Sequence, residues 1–221
     1  QPWPNLRDVN DYSGLGNHGV FYGGITSTPG ILGNAAKFYQ GGGGYISIGS
    51  WSSSNFEKLR IPGDLTVEWW QKIDAVPAAH TSNVMMGFGY PSESKDKNFL
   101  YDFGIHNTVT YGTQFFAYHE NGNGVDNVVF FNPIAVTGTW VHVVFIRDTT
   151  TKTYQLILNG VPEAPKTYAN NPDGGTSLDL ELTLGDSQWL INEFLRGRLD
   201  NVRVYDKKIT VEQIQQHYAE E

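Results

Sequence analysis

The chain has no cysteine and only two methionines among its 221 residues. Disulfide staples, thiol nucleophiles and zinc–thiolate centres are therefore excluded, and packing and hydrogen bonds must hold the fold. Basic residues are also scarce: 15 Lys and Arg stand against 23 Asp and Glu, a formal net charge of -8. A surface of that sign opposes encounter with a nucleic-acid backbone or an anionic membrane, so neither is expected as a partner, whereas neutral ligands and cations meet no such barrier. No apolar run approaches the roughly 18 residues of a membrane-spanning helix, and no membrane insertion is expected. Catalytic signatures are missing too. The six histidines, His18, His80, His106, His119, His142 and His217, form no HExxH pair, and there is no GxSxG elbow. Gly41 to Gly44 lack a following Gly-Lys-Ser/Thr and open no helix, so they are not a phosphate loop.

What the chain does have is turn formers and rings: 25 glycines, 10 prolines and 14% aromatic residues within 39% hydrophobic content. That is the composition of an all-β protein with many tight connections, and its length suits one domain over residues 1–221. The chain begins at Gln1 rather than Met, the mark expected of a processed form or of a piece of a larger multidomain protein or assembly.

Short apolar runs alternate with turns. LTVEWWQKI (65–73) sets Leu65, Val67 and Trp69 on one face against Thr66, Glu68 and Trp70. NVMMGFGY, NFLYDFGI, TQFFAYHE and NVVFFNPI read as consecutive strands. WVHVVFIRD (140–148) is apolar on both faces and predicts an interior strand covered on both sides. Asn159-Gly160 predicts a type I′ hairpin. The one convincing helix is ITVEQIQQHYAEE, with Thr210 as cap, Gln213 completing a capping box and Ile209 stapling to Ile214.

Taken in order, DYSGLGNHG (11–19), ILGNAAKF…GYISI (31–48), LTVEWWQK, GTWVHVVFIRDTTTKTYQLILNG (138–160) and LTLG…LRGRLDNVRVYDKKITVEQIQQHY (182–218) resemble the laminin G-like, concanavalin A-like jelly-roll family of lectins and glucanases. The resemblance implies two antiparallel sheets packed face to face in a jelly-roll sandwich, with a short C-terminal helix and one concave outer surface. The residues alone reach only an all-β sandwich or barrel.

In RLDNVRVYD, Asp200 shares a face with Val202 and Val204, so its carboxylate must be paired, hydrogen-bonded or metal-bound. The resemblance implies a structural Ca²⁺ with Asp200 as side-chain ligand, carbonyls from the N-terminal loop and residues 41–44, and Asp11 and Asn17 as helpers. The alternatives are a pair with Arg198, or bonds from backbone N–H groups. NDYSGLGNHG itself can equally be a plain turn, and an EF-hand fails, since Ser13 and Gly19 fall where that loop needs glycine and a bidentate Glu.

Glucanase relatives carry Glu-x-Asp-x-Glu on one strand. Here the matching stretch is Ser177-Leu178-Asp179-Leu180-Glu181, with Ser177 in place of the first acid, so no catalytic residues are expected. A sugar-binding face needs aromatic plates beside polar groups. Tyr118, His119, Glu120 and Asn121 offer both in one segment, and Trp189 and Asn192 in another; Tyr90, Tyr101 and Trp51 are further candidates. The expected function is non-catalytic recognition, of carbohydrate, at an extracellular cell, matrix or virion surface. A structural or protein-binding jelly roll is the alternative, and a glycan-degrading enzyme the second.

Overall fold

The computed structural model describes residues 9–39, 43–48, 56–89, 100–121, 125–173, 181–186 and 194–221. The strands in chain order are β1 (Gly19–Tyr22), β2 (Ile25–Pro29), β3 (Asn34–Phe38), β4 (Tyr45–Ile48), β5 (Leu65–Ile73), β6 (Ser82–Gly89), β7 (Tyr101–Thr108) and β8 (Gly112–Glu120). They continue with β9 (Asp126–Ile134), β10 (Trp140–Asp148), β11 (Thr153–Leu158), β12 (Val161–Pro162), β13 (Lys166–Thr167), β14 (Glu181–Leu184) and β15 (Gly197–Tyr205), and helix α1 (Val211–Glu220) closes the chain. Sheet A has seven strands in the order β1-β4-β14-β6-β7-β8-β9. Sheet B runs β12-β11-β10-β5-β15-β3-β2, with β13 also on β11. Neighbours far apart in sequence, such as β4 beside β14 and β5 beside β15, pair antiparallel, as the jelly-roll reading requires.

The two sheets enclose one aromatic core. Phe103 and Phe131 of sheet A meet Phe145 of sheet B at ring separations of 4.8 and 5.7 Å, and Trp69 packs on Phe145 at 5.8 Å. Each such buried ring contributes on the order of 2 kcal/mol from burial alone. Period-2 alternation decides which residues enter: on β8, Phe115 and Ala117 join this core, while Phe116 and Tyr118 point outward.

β10 is covered on both sides. Val143 and Phe145 face the core, while Val144 and Ile146 form a second apolar cluster with Ile157, Ile209 and Ile214. Helix α1 supplies Ile214, and its capping box forms between Thr210 and Gln213. Asn159 and Gly160 both hold positive φ, 50° and 74°, as a type I′ turn demands. Arg147 is buried too, and its guanidinium donates to the carbonyls of Gly63, Leu100 and Ile61, which pins the chain around residue 61 to the start of β7.

Candidate functional site

The two sheets differ in what lies on their outward faces. On sheet B, α1 covers the apolar cluster and a polar knot beside it. Glu68 is fully buried and accepts from Arg203 Nη1 at 2.9 Å, Tyr205 Oη at 2.9 Å and His217 Nδ1 at 3.0 Å. Burial alone would push its carboxyl up, but the bonds from Arg203, His217 and Tyr205 outweigh it and hold the pKa below the usual range. Glu221 accepts from Trp70, Asn201 and Arg203, so it latches the end of the helix to the sheet. His142 lies beneath, stacked on Tyr218 and 3.7 Å from Glu68. Trp70, the outward ring of the Trp69-Trp70 pair, is therefore part of the helix seat and lines no open face.

Among the described residues, no helix covers sheet A. Its strands align Ser47, Thr183, Gly87, Asp102, Tyr118 and Val128 in one continuous rung. Ser47, Thr183 and Asp102 are buried, Tyr118 is half-buried, and Val128 is 50% exposed, so the face opens towards the β9 edge. One rung along, Phe116 pairs with Phe130, which is 37% exposed. Their rings lie 6.4 Å apart, and His106 lies 5.7 Å from Phe130. Gly104 makes room for this cluster: a Cβ there would fall 2.9 Å from Phe116 Cε1 and 2.4 Å from Asn83 O. The His106 ring is fixed by a 2.9 Å bond between Nδ1 and Ser82 Oγ, and burial holds its pKa below the ordinary value.

Polar groups border the rings. Tyr118 Oη stands 2.6 Å from Glu120 Oε1 and 2.9 Å from Asp126 Oδ1. Burial first, and the two carboxylates next, drive its pKa upward, so it stays a neutral donor. The face thus combines an accessible ring, a hydroxyl and the exposed carboxylate of Asp126, the pieces that recognise a polyol with an apolar side, while Glu120 is buried behind them.

The expected site residues separate on this scaffold. Tyr118, Glu120 and Asn121 lie at the β8 end of the face, Glu120 itself buried, and Asn121 Oδ1 accepts from Val125 N. His119 is a correction: it points into the core, its Nε2 donating to Asn170 O at 2.6 Å and its Nδ1 accepting from Tyr154 Oη at 2.9 Å. Burial pushes its pKa down to about 4. Tyr101 is also corrected, because its ring is fully buried and its hydroxyl donates to Leu59 O at 2.9 Å. Tyr90, Trp51, Asp179, Trp189 and Asn192 lie outside the described residues. The strand end leading towards Trp189 is placed by Gly185, whose N–H bonds Met85 O at 3.0 Å. Phe116, Phe130, His106 and Asp102 were missed. NVVFFNPI is apolar at four successive positions, so alternation could not say which pair faces out.

The side chains named for calcium are held by hydrogen bonds from the protein itself, and of the carbonyls expected around them those of residues 41 and 42 lie outside the described residues. Asp200 Oδ2 accepts from Ile31 N at 2.6 Å and Leu32 N at 2.9 Å, and Oδ1 from Asn201 N at 2.8 Å. Those N–H dipoles turn their positive ends to both oxygens, which suits an anion and repels a cation. Gly30 belongs to the same clamp, since a Cβ there would meet Asp200 Oδ2 at 2.3 Å. Asp11 likewise accepts from Ser13 N and Asn17 N, both at 2.8 Å, and closes its own loop. Asn17 Oδ1 is buried without a hydrogen-bond partner. Among the described residues, no three His, Cys, Asp or Glu are grouped to hold a metal.

A family model described as the concanavalin A-like lectin/glucanases superfamily matches residues 40–215. A comparison with curated protein sequences finds no match. Solved structures share the fold. Domain 4 of AbnA, a GH43 extracellular arabinanase from Geobacillus stearothermophilus, solved with arabinotriose, has a TM-score of 0.61 at 19% identity, over 90% of this chain and 87% of that one. The receptor-binding domain of the botulinum neurotoxin C/D mosaic serotype gives 0.70 at 17% identity, over 95% of this chain and 48% of that one. The binding domain of botulinum neurotoxin DC in complex with SialylT gives 0.65 at 10% identity, over 95% and 48%. The chain thus spans about half the length of the neurotoxin binding domains.

Proposed function

Because the chain belongs to the concanavalin A-like lectin/glucanase superfamily, we propose that it is a non-catalytic carbohydrate-recognition module which holds a sugar on the outward face of sheet A. The observation that carries this reading is the exposed ring of Phe130, supported by Phe116 and His106 and bordered by Tyr118 and Asp126. One sugar ring lays its C–H face on Phe130, and the hydroxyls of its neighbours along the chain meet the Tyr118 oxygen and the exposed Asp126 carboxylate. Two similar folds were solved with sugars, the arabinanase domain with arabinotriose and the neurotoxin domain with SialylT, which supports the same use here. Ser177, in place of the first acid of the glucanase pattern, supports binding without hydrolysis. An extracellular setting, as one module of a larger protein, is part of the proposal; the neighbours include an extracellular arabinanase and toxin receptor-binding domains.

The test is a glycan-array scan of the purified chain and of Phe130→Ala. Stacking one ring contributes roughly 1 kcal/mol, so the variant should bind several-fold more weakly at an unchanged melting temperature. Undiminished binding would move the site elsewhere. No binding by the folded wild-type chain would leave the protein-binding alternative.

A further inference from the structure

A second pair of rings stands on the outward face of sheet A, at the edge opposite Phe130. Tyr22 of β1 is paired with Tyr45 of β4, and both alternate with residues that pack into the core, Phe21 and Ile46, so their rings point outward. The two rings are stacked, with 4.9 Å between centroids and 10° between planes. Among the described residues β1 is the last strand of the sheet on that side. Tyr45 therefore backs one face of the Tyr22 ring and no strand lies beside the other, which leaves Tyr22 47% exposed. The opposite edge has the same build, since Phe130 on the outermost strand β9 is backed by Phe116 of β8. Six strand spacings separate the two plates, roughly 29 Å at about 4.8 Å each. The row between them, Ser47, Thr183, Gly87 and Asp102, is buried, so one short ligand does not join them across the sheet.

We infer that Tyr22 is a second sugar platform, so that the chain holds two glycan strands at once, one at each edge of sheet A. The inference rests on the carbohydrate reading above. The free face of the Tyr22 ring takes the C–H side of a neutral sugar, and its hydroxyl, both donor and acceptor, meets the hydroxyls of that sugar or of its neighbour. The stacked Tyr45 ring holds the plate in place before the ligand arrives, so less side-chain freedom is lost on binding. No acidic residue belongs to β1 or β4, so this platform lacks the charge-assisted bond that Asp126 offers at the other edge and is the weaker of the two. Plates on opposite edges of one rigid sheet let a single module bridge two glycan chains, and the second contact adds avidity on a surface that presents many of them.

Amide NMR titration of the folded chain with cellotriose, maltotriose and arabinotriose, and with any other neutral sugar the array returns, tests the second platform. A sugar that binds should move two groups of amides on separate isotherms: those around Phe116 and Phe130 first, and those around Tyr22 and Tyr45 at about tenfold higher concentration, the worth of the missing charge-assisted bond. Tyr22→Leu, which keeps an apolar side chain against Tyr45, should abolish the second response and leave the first, at an unchanged melting temperature. Tyr22→Phe should retain the second response within a few-fold, and Phe130→Ala should weaken only the first. Movement around Phe130 alone, carried well past saturation, overturns the second platform and leaves sugar recognition standing. So does a response around Tyr22 that survives Tyr22→Leu. Movement around Tyr22 alone overturns the two-chain arrangement and the Phe130 site together. No movement with any sugar removes the carbohydrate reading and this inference with it.

Discussion

Sheet B and sheet A each turn one face away from the shared core, and they treat it in opposite ways. Sheet B closes its outward face with α1 and pairs what it buries: Glu68 meets Arg203, Tyr205 and His217, and Glu221 meets Trp70, Asn201 and Arg203. Sheet A leaves Phe130 and Val128 accessible beside Tyr118 and Asp126. A buried carboxylate must be satisfied from within the protein, whereas an exposed ring next to polar groups is free to be satisfied by a ligand. The first arrangement stabilises the fold, and the second leaves binding energy unspent until a partner arrives.

Substitutions on the two faces should therefore have different signatures. The largest effect belongs to sheet B. Glu68→Ala removes the buried acceptor that Arg203, Tyr205 and His217 share and should cost about 3 kcal/mol in urea unfolding, with sugar affinity unchanged in the folded fraction.

Acid should act next. His119 has its pKa lowered from 6.5 to about 4, so the unfolded chain binds more protons between those values. Stability is then fully present above pH 6.5 and falls as pH drops towards 4, by up to about 3 kcal/mol. His119→Gln should flatten that slope in a pH series of melts. Glu68, whose pKa is also depressed, adds its loss only below its ordinary value of 4.5.

Smaller again is Asp200→Ala, which releases the N–H groups of Ile31, Leu32 and Asn201 and should cost about 2 kcal/mol. If that clamp works through hydrogen bonds alone, EDTA should leave the wild-type melt unmoved, and a fall on chelation would show a cation at work. The smallest effect on stability is expected at Phe130→Ala, within about 0.5 kcal/mol, where the loss appears in binding instead.

Much of this architecture was legible in the sequence because it follows from local chemistry. The Asn159-Gly160 turn needs two positive φ angles, the Thr210–Gln213 box needs a hydroxyl and an amide three residues apart, and the two-sided burial of β10 needs apolar residues at both parities. The site was less legible, because facing is a tertiary property. Tyr118 and His119 are adjacent and chemically similar as candidates, yet one points out and the other into the core. Tyr101 looked like a ligand plate and is a core ring whose hydroxyl found a carbonyl. Asp200 does need partners, but the shared face with Val202 and Val204 is a correction: a β-bulge after Asp200 sets it opposite the outward Trp70 while Val204 pairs with Val67 in the core, and residues 31 and 32, more than 160 positions away, supply its bonds.

The most direct measurement is an amide NMR titration of the folded chain with the sugar that binds best on the array. Binding on sheet A predicts shifts concentrated in residues 101–134, around Phe116, Tyr118, Asp126 and Phe130, with β5, β15 and α1 unmoved. Shifts centred on Glu68, Arg203 and His217, with the β7 to β9 amides unchanged, would contradict it.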